Sequence, residues 1–276
     1  IVKKLKEFQK TGKLEKLEND PELILVELTQ IHGIGPKKGR ELIKTHNIRS
    51  IEELKKHKEL LNGTQLLGLK YYDDIKKKIP RKEIREYEKL FQANKLANAE
   101  MEIVGSYRRK KKESGDIDII LTSRDNDKNV YSEFIQKLKM KNIIVELLSR
   151  GKTKTMAIVQ LPGKPARRLD ILYSPPEEYG YAVLYFTGSK MFNIGMRHHA
   201  LTLGLSLNEH GLTETKTKKK IPVPLLTEKD IFKFLNLEYV SPENRIGIKD
   251  IKLKVKRKRC PKGTRMNKET GECEKA

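Results

Sequence analysis

The chain has no tryptophan and only two cysteines, Cys260 and Cys273, both near its end. Its body is therefore free of disulfides, which excludes the small cross-linked secreted scaffolds and fits a reducing compartment. No apolar run approaches the ~18 residues of a membrane helix. The opening Ile1-Val2-Lys3-Lys4 lacks the apolar stretch of a secretory signal. Acidic residues are in deficit, with 37 Asp and Glu against 59 Lys and Arg and a formal charge of +22. That imbalance points to a polyanionic partner; ribosomal, histone-like and membrane-surface binders share it, so it restricts the partner more than the activity. What is abundant is charge, 35% of residues beside 37% apolar, in a chain of 276 residues. This reads as a soluble globular protein with room for two or more cores. Ile1 stands where Met would, inside an amphipathic pattern, so a further N-terminal part is expected to precede it.

Residues 103–121 carry the most chemistry. Asp116-Ile117-Asp118-Ile119-Ile120-Leu121 alternates and then turns wholly apolar, as a strand entering a core does. Asp116 and Asp118 then share a face. Two carboxylates so placed repel unless a cation sits between them, and a hard divalent ion, Mg²⁺ first and Mn²⁺ second, suits oxygen ligands. Just upstream, Gly105-Ser106 followed by Arg108 and Arg109 is phosphate-binding chemistry. A solvated acidic strand edge is the plain alternative. Asp170, alone in Arg167-Arg168-Leu169-Asp170-Ile171-Leu172, would be costly to bury unless paired or metal-bound. It is either a third ligand beside Asp116 and Asp118 or the partner of Arg167 or Arg168.

Between two helical segments, Gly33-Ile34-Gly35-Pro36 resembles the helix-hairpin-helix DNA-binding motif. Its glycines let the backbone approach a phosphate, and N–H groups at the second helix's start face the anion. Lys37 and Lys38 add charge. Such contacts hold duplex without reading bases. The motif's hairpin holds a monovalent cation, Na⁺ or K⁺, through backbone carbonyls, here matched by Thr29, Ile31 and Ile34.

Elsewhere, helical patterning covers 49–79, 82–99 and 130–138, and strands are expected over 143–148, 155–161 and 168–173. Pro175-Pro176 reads as a linker, 204–212 as a hairpin, and 227–234 as a helix with a Thr227/Asp230 capping box. From Gly247 the lysine-rich sequence cannot bury a core and reads as a flexible DNA-binding arm.

In order and spacing, Gly105–Arg109, Ser114–Asp118, Arg168-Leu169-Asp170, Tyr185-Phe186-Thr187-Gly188-Ser189, Phe192-Asn193 and Met196-Arg197 resemble the family X DNA polymerases, most closely polymerase beta, over residues 1–246. Gly33–Pro36, Gly68–Tyr72 and Ile79-Pro80-Arg81 match as well. The resemblance implies an α+β fold: a lyase-domain remnant over 1–20, a helix-hairpin-helix thumb over 21–80, and a nucleotidyltransferase palm with a mixed sheet over 81–176. An α+β fingers subdomain over 177–246 and the basic tail over 247–276 would follow.

It further implies that Asp116, Asp118 and Asp170 hold two Mg²⁺ ions, with Asp170 orienting the primer 3′-hydroxyl and accepting its proton. Ser106, Arg109, Ser114 and Gly115 match triphosphate contacts. Tyr185 and Phe186 match the segment against the sugar, approached closely at Gly188. Asn193 would meet the incoming base and Arg197 the template, while Arg150, Lys152, Thr153, Lys154 and Arg168 would meet strand phosphates. The implied partners are gapped or nicked duplex DNA and deoxynucleoside triphosphates, without a membrane. The implied protein is a monomer filling gaps in base excision repair inside the cell, where DNA is repaired. Other nucleotidyltransferases, terminal or RNA-tailing, and an inactive DNA-end-binding scaffold are the competing readings.

Some positions depart from that pattern. Leu172 replaces an arginine that pairs with a metal-binding aspartate, Lys78 an arginine near the triphosphate, and His210 a tyrosine. The segment between Leu148 and Thr155 is short, without the insertion of template-independent relatives. Lys4 falls at the Schiff-base lysine of the lyase domain, but the helices of its pocket are absent, so lyase activity is expected only of a longer protein. The two-cysteine tail resembles the ends of giant-virus proteins, which adds the viral factory or virion as an expected location.

Overall fold

The structure, a computed structural model, describes residues 20–254, 264–266 and 273–275. The expected lyase remnant, Lys4 included, lies outside the described residues apart from Asp20. The chain opens with α1 (Pro21–Leu28), where Asp20 accepts a hydrogen bond from the Glu22 N–H and Pro21 fills the first turn. The Gly33–Gly35 hairpin leads into α2 (Pro36–Thr45), then α3 (Ile51–Lys56), α4 (Gly63–Lys70) and α5 (Tyr72–Ile75). Leu28, Ile31, Leu42 and Leu54 form the core of this helical unit. At Gly68 on α4 a Cβ would fall 2.2 Å from the His32 carbonyl oxygen, so only glycine lets α4 press against the hairpin.

The middle unit runs β1 (Ile79–Pro80), α6 (Arg81–Asn94), β2 (Ala99–Ile103), α7 (Gly105–Arg108), β3 (Glu113–Ser114), β4 (Ile117–Ser123), α8 (Asn129–Met140), β5 (Ile144–Arg150), β6 (Lys154–Val159) and β7 (Arg167–Tyr173). Five of these strands make one mixed sheet in the order β2-β4-β7-β6-β5, with β4 and β7 parallel and the other neighbours antiparallel. Alternation sorts β4 cleanly. Ile117, Ile119 and Leu121 enter a core with Tyr87, Phe91 and Phe134 of α6 and α8. Ile120 faces the other way, against Ala182 and Val183. Asp118 shares the face of Ile120, one step beyond the cover. The expected helix over 82–99 ends at Asn94, and Ala99 opens β2.

The last unit holds α9 (Pro176–Thr187), α10 (Lys190–Thr202), the hairpin β8 (Leu205–Asn208) and β9 (Gly211–Glu214), and α11 (Glu228–Phe234) around Phe192, Met196, Ile231 and Phe232. Pro175-Pro176 is not a linker. Pro176 starts α9 at the one helical position where its missing N–H costs nothing. The capping box at Thr227 and Asp230 is formed. The expected flexible arm from Gly247 also needs correction. Residues 248–250 form a 3-10 turn, and Leu253 bridges Leu237. Among the described residues, no helix is long and apolar enough to cross a membrane.

Candidate active site

β4 and β7 run parallel in a register that sets Asp118 beside Asp170, and Asp116 sits one residue before β4. The strand pairing thus brings together three carboxylates from two distant stretches. Burial first, then the charges of Asp116 and Asp170, push the Asp118 carboxyl up to about 7. Burial also pushes Asp170 up, opposed by Arg168 and Lys154. Gly105 stands against this group: a Cβ there would lie 2.5 Å from Asp118 Oδ2, and its φ is +61°. Glycine is required twice over, for space and for backbone.

The two readings of Asp170 are both partly met. Arg168 pairs with Asp116, and its Nε lies 3.4 Å from Asp170 Oδ1, too poorly aligned for a hydrogen bond. Arg167 turns away to Glu83, with Nε 2.7 Å from Oε1. Lys154 Nζ is 3.7 Å from Asp170 Oδ2. Arg168 and Lys154, both expected on DNA phosphates, are therefore counter-ions of the carboxylates here. With Arg168 bridging Asp116 and Asp170, no closed set of three metal ligands exists among the described residues. The residues still fit a divalent ion. Asp170 Oδ1 is buried without a hydrogen bond, and three neighbouring carboxylates offer the all-oxygen donor set that a hard divalent ion takes. Because a metal must displace the proton on Asp118, Mg²⁺ affinity is expected to rise with pH up to about 7 and level off above it. Calorimetric Mg²⁺ titrations across that range, in buffers of different ionisation enthalpy, should show proton release that fades above pH 7.

The expected triphosphate side is assembled around α7. Ser106 lies in that turn and Arg109 follows it, with Nη1 donating to the Thr187 carbonyl at 2.5 Å. Burial lowers the pKa of Arg109, opposed by the charge of Asp118. Ser114 is buried beside Ile79, and its hydroxyl has no partner among the described residues. Lys78 Nζ would be 3.8 Å from a Cβ at the exposed Gly115, which keeps a cation beside this loop despite the departure from arginine.

Across from it, Tyr185 and Phe186 meet edge to face with centroids 5.1 Å apart. Gly188 follows with φ +65°, and a Cβ there would touch Arg109 Nη1 at 3.2 Å. Asn193 donates to the Tyr185 carbonyl at 2.6 Å, so its amide is held by the protein. Asn193 and Arg197 line one small pocket with Tyr185. Arg150, Lys152 and Thr153 are exposed in and before the β5–β6 turn.

A cleft of about 580 Å³ beside the hairpin is lined by His32, Gly33, Ile34 and Gly35, by Gly68, Tyr72 and Lys76 of the same helical unit, and by Arg168 of β7. In the hairpin Gly33 has φ +87° and Gly35 caps α2. Lys37 and Lys38 lie in the first turn of α2, with Lys38 paired to Glu41 at 2.6 Å. Of the three carbonyls matched to a cation, that of Ile31 accepts from the Ile34 N–H at 3.0 Å.

One network escaped the sequence reading. Arg108, read there as phosphate chemistry, is bound to Glu102 and Glu228 at 2.8 Å each and to Thr187 Oγ1 at 2.9 Å. Glu228 also holds Arg245 at 2.5 Å. Arg245 is fully buried between the rings of Phe192, Phe232 and Tyr239. No local pattern marks this triad, because its members lie on three separate elements.

Comparison with known proteins follows the same division into three. Residues 26–76 match the model for the fingers domain of DNA polymerase lambda, 78–176 the DNA polymerase beta palm, and 182–246 the DNA polymerase beta thumb. These descriptions give the name fingers to the helix-hairpin-helix unit and thumb to the C-terminal unit, the reverse of the expected labels. The chain is 33% identical to DNA polymerase lambda of Rattus norvegicus, across 89% of this chain and 46% of the relative. Identity to DNA polymerase lambda of Arabidopsis thaliana is 31%, across 87% and 50%. For DNA nucleotidylexotransferase of Xenopus laevis it is 29%, across 89% and 56%. The chain thus spans about half the length of the curated relatives it matches. With a matched palm built around paired aspartates and matched units on either side of it, the chain belongs to family X of the DNA polymerases.

Proposed function

We propose that this chain performs template-directed DNA synthesis of the repair type, adding a deoxynucleotide to a primer 3′-hydroxyl in a short gap. The observation that carries this reading is the register pairing of Asp118 with Asp170, held beside Arg168, which itself lines a cleft formed with the Gly33–Gly35 hairpin. Asp116, Asp118 and Asp170 are the residues that would hold divalent metal. When bound, two such ions supply a lowered pKa at the attacking hydroxyl and charge stabilisation at the leaving oxygens.

The protein's own groups do the rest. Asp170 orients the primer hydroxyl and takes its proton. Arg109, Ser106, Ser114 and Gly115 bind the triphosphate, where fixed donors and charge do most of the work of phosphoryl transfer. Tyr185 and Phe186 pack on the sugar and exclude a ribose 2′-hydroxyl. The Arg109 link to the Thr187 carbonyl ties phosphate binding to the position of that pair. Asn193 reaches the incoming base by leaving the Tyr185 carbonyl, and Arg197 meets the template. The hairpin at Gly33 and Gly35, with Lys37 and Lys38 and with a monovalent cation at Thr29, Ile31 and Ile34, holds duplex phosphates. Arg150, Lys152, Thr153, Lys154 and Arg168 extend that track; Lys154 and Arg168 would have to give up Asp170 and Asp116 to reach phosphates.

The short β5–β6 turn favours templated synthesis over the terminal transfer named in one relative. With a one-nucleotide gap and the four deoxynucleoside triphosphates supplied singly, incorporation of the complementary one alone is the outcome expected. Tailing of a blunt or single-stranded primer at a comparable rate would overturn the reading.

A further inference from the structure

We propose that Tyr131 is a positioning residue for the β5–β6 turn: its buried hydroxyl clamps both arms of the turn and so fixes the side chains that grip DNA phosphates. The proposal rests on the polymerase reading for the identity of that partner. Tyr131 lies in the first turn of α8 and is 4% exposed. Its hydroxyl donates to the Gly151 carbonyl at 3.3 Å, on the arm that leaves β5. A hydroxyl has one proton to give, so the 2.6 Å bond to Thr155 Oγ1, at the start of β6, runs the other way, with Thr155 donating. Burial pushes the Tyr131 hydroxyl above its ordinary value, opposed by the Thr155 bond and the charge of Arg150, so it keeps that proton.

The backbone of the turn is drawn inward in the same way. The Gly151 N–H donates to the Lys154 carbonyl at 2.7 Å, and the Tyr173 N–H of β7 donates to the Thr153 carbonyl at 2.7 Å. The Tyr173 ring stands 6.5 Å from that of Tyr131. The carbonyl dipoles of Gly151, Thr153 and Lys154 are thus turned onto the protein instead of toward an approaching anion, while Arg150, Lys152 and Thr153 are exposed. Thr155 is fully buried, so alternation puts Lys154 on the other face of β6. Met156 pairs with Asp170 and shares that other face, which brings Lys154 Nζ to 3.7 Å from Asp170 Oδ2. The Tyr131–Thr155 bond thereby sets the side from which Lys154 approaches the carboxylates and a phosphate. Tyr131 itself lies across the sheet from Asp170 and acts only through the turn.

The test is equilibrium binding of the full chain to gapped duplex across a salt series, with Tyr131→Phe, which keeps the ring and removes the hydroxyl. Affinity should fall about tenfold, and the slope of log affinity against log salt by about 0.9 for each phosphate the turn no longer neutralises. Loss of stability alone would lower the active fraction and leave that slope as it was, so an unchanged slope overturns the proposal. With Arg150, Lys152 and Lys154 all changed to Gln, adding Tyr131→Phe should lower the slope no further. A further fall would also overturn it, because Tyr131 would then act elsewhere. KM for the deoxynucleoside triphosphate, whose contacts lie at α7 and α9, should be unchanged in Tyr131→Phe; a rise matching the loss of DNA affinity would place the defect in the whole palm and refute a role through the turn. The parent's own extension of that gapped primer tests the polymerase reading apart from this one. A parent that adds no templated nucleotide, yet binds with a slope that Tyr131→Phe lowers, would sink that reading and leave this one standing.

Discussion

Asp170→Ala should reduce single-nucleotide extension of a gapped primer by about 10³-fold or more, ~4 kcal/mol of transition-state stabilisation. The size follows from what Asp170 would do at once: contribute a metal ligand and take the proton of the attacking hydroxyl. Neither neighbour can substitute. Asp118 is committed by strand register to the adjoining position, and Asp116 lies before the strand and pairs with Arg168. The same change should not weaken the fold. Burial pushes the Asp170 carboxyl up, so its charge is held against a desolvation cost that alanine removes. The thermal midpoint of the metal-free variant should match or exceed that of the parent, which separates a chemical defect from misfolding. Single-turnover extension on gapped DNA reads the first quantity and calorimetry the second. Extension within tenfold of the parent would refute the assignment.

Glu228→Ala carries the second large effect, on stability. Glu228 joins Arg108 of the palm to the fully buried Arg245, and removing it leaves two desolvated guanidinium groups without their shared anion. Breaking a buried pair in this way costs about 3–5 kcal/mol. Burial pushes the Glu228 carboxyl up, but hydrogen bonds from Arg245 and Arg108 outweigh it and hold the group below its ordinary value. A depressed carboxyl contributes its stabilisation above the unfolded value, about 4.3. That contribution is lost as pH falls through the lower folded value. Denaturant titration should therefore show a gap between parent and Glu228→Ala that is full at neutral pH and closes in acid. Glu228→Gln, which keeps the shape and some of the hydrogen bonds, should recover part of the loss. A variant as stable as the parent at neutral pH would show that Arg108 and Arg245 find other partners.

The parts of this fold legible in the sequence are those set by local rules. The alternation in Asp116–Leu121 gave β4 its two faces, and the lone acid in the Arg167–Leu172 run marked β7. The Gly33–Pro36 turn and the Thr227/Asp230 capping box were visible because their side chains act within a few residues. What was not legible depends on contacts across the chain. Arg108 looked like its neighbour Arg109, yet the buried one of its two carboxylate partners, Glu228, is 120 positions away. Gly68 looked like any helical glycine, although the His32 carbonyl forbids a side chain there. The order of residues 247–254 depends on Gly195 of α10, where a Cβ would lie 2.6 Å from Ile251 Cδ1, and nothing in a lysine-rich stretch announces a notch on another helix. Asp170 fell between the two cases. Its need of a partner could be read locally, and alternation along β7 sets Arg168 on its face and Arg167 on the other, where Glu83 takes it; that Arg168 would also pair with Asp116 of another strand could not be read.

The parallel pairing of β4 with β7 has a kinetic consequence. Its two carboxylates are joined through a connection that contains α8, β5 and β6, since parallel neighbours need a crossover. Contacts of such sequence separation form late, once loop-closure entropy has been overcome. A palm in which β7 has not docked therefore holds Asp116 and Asp118 without Asp170, and the group of three carboxylates is complete only with that strand.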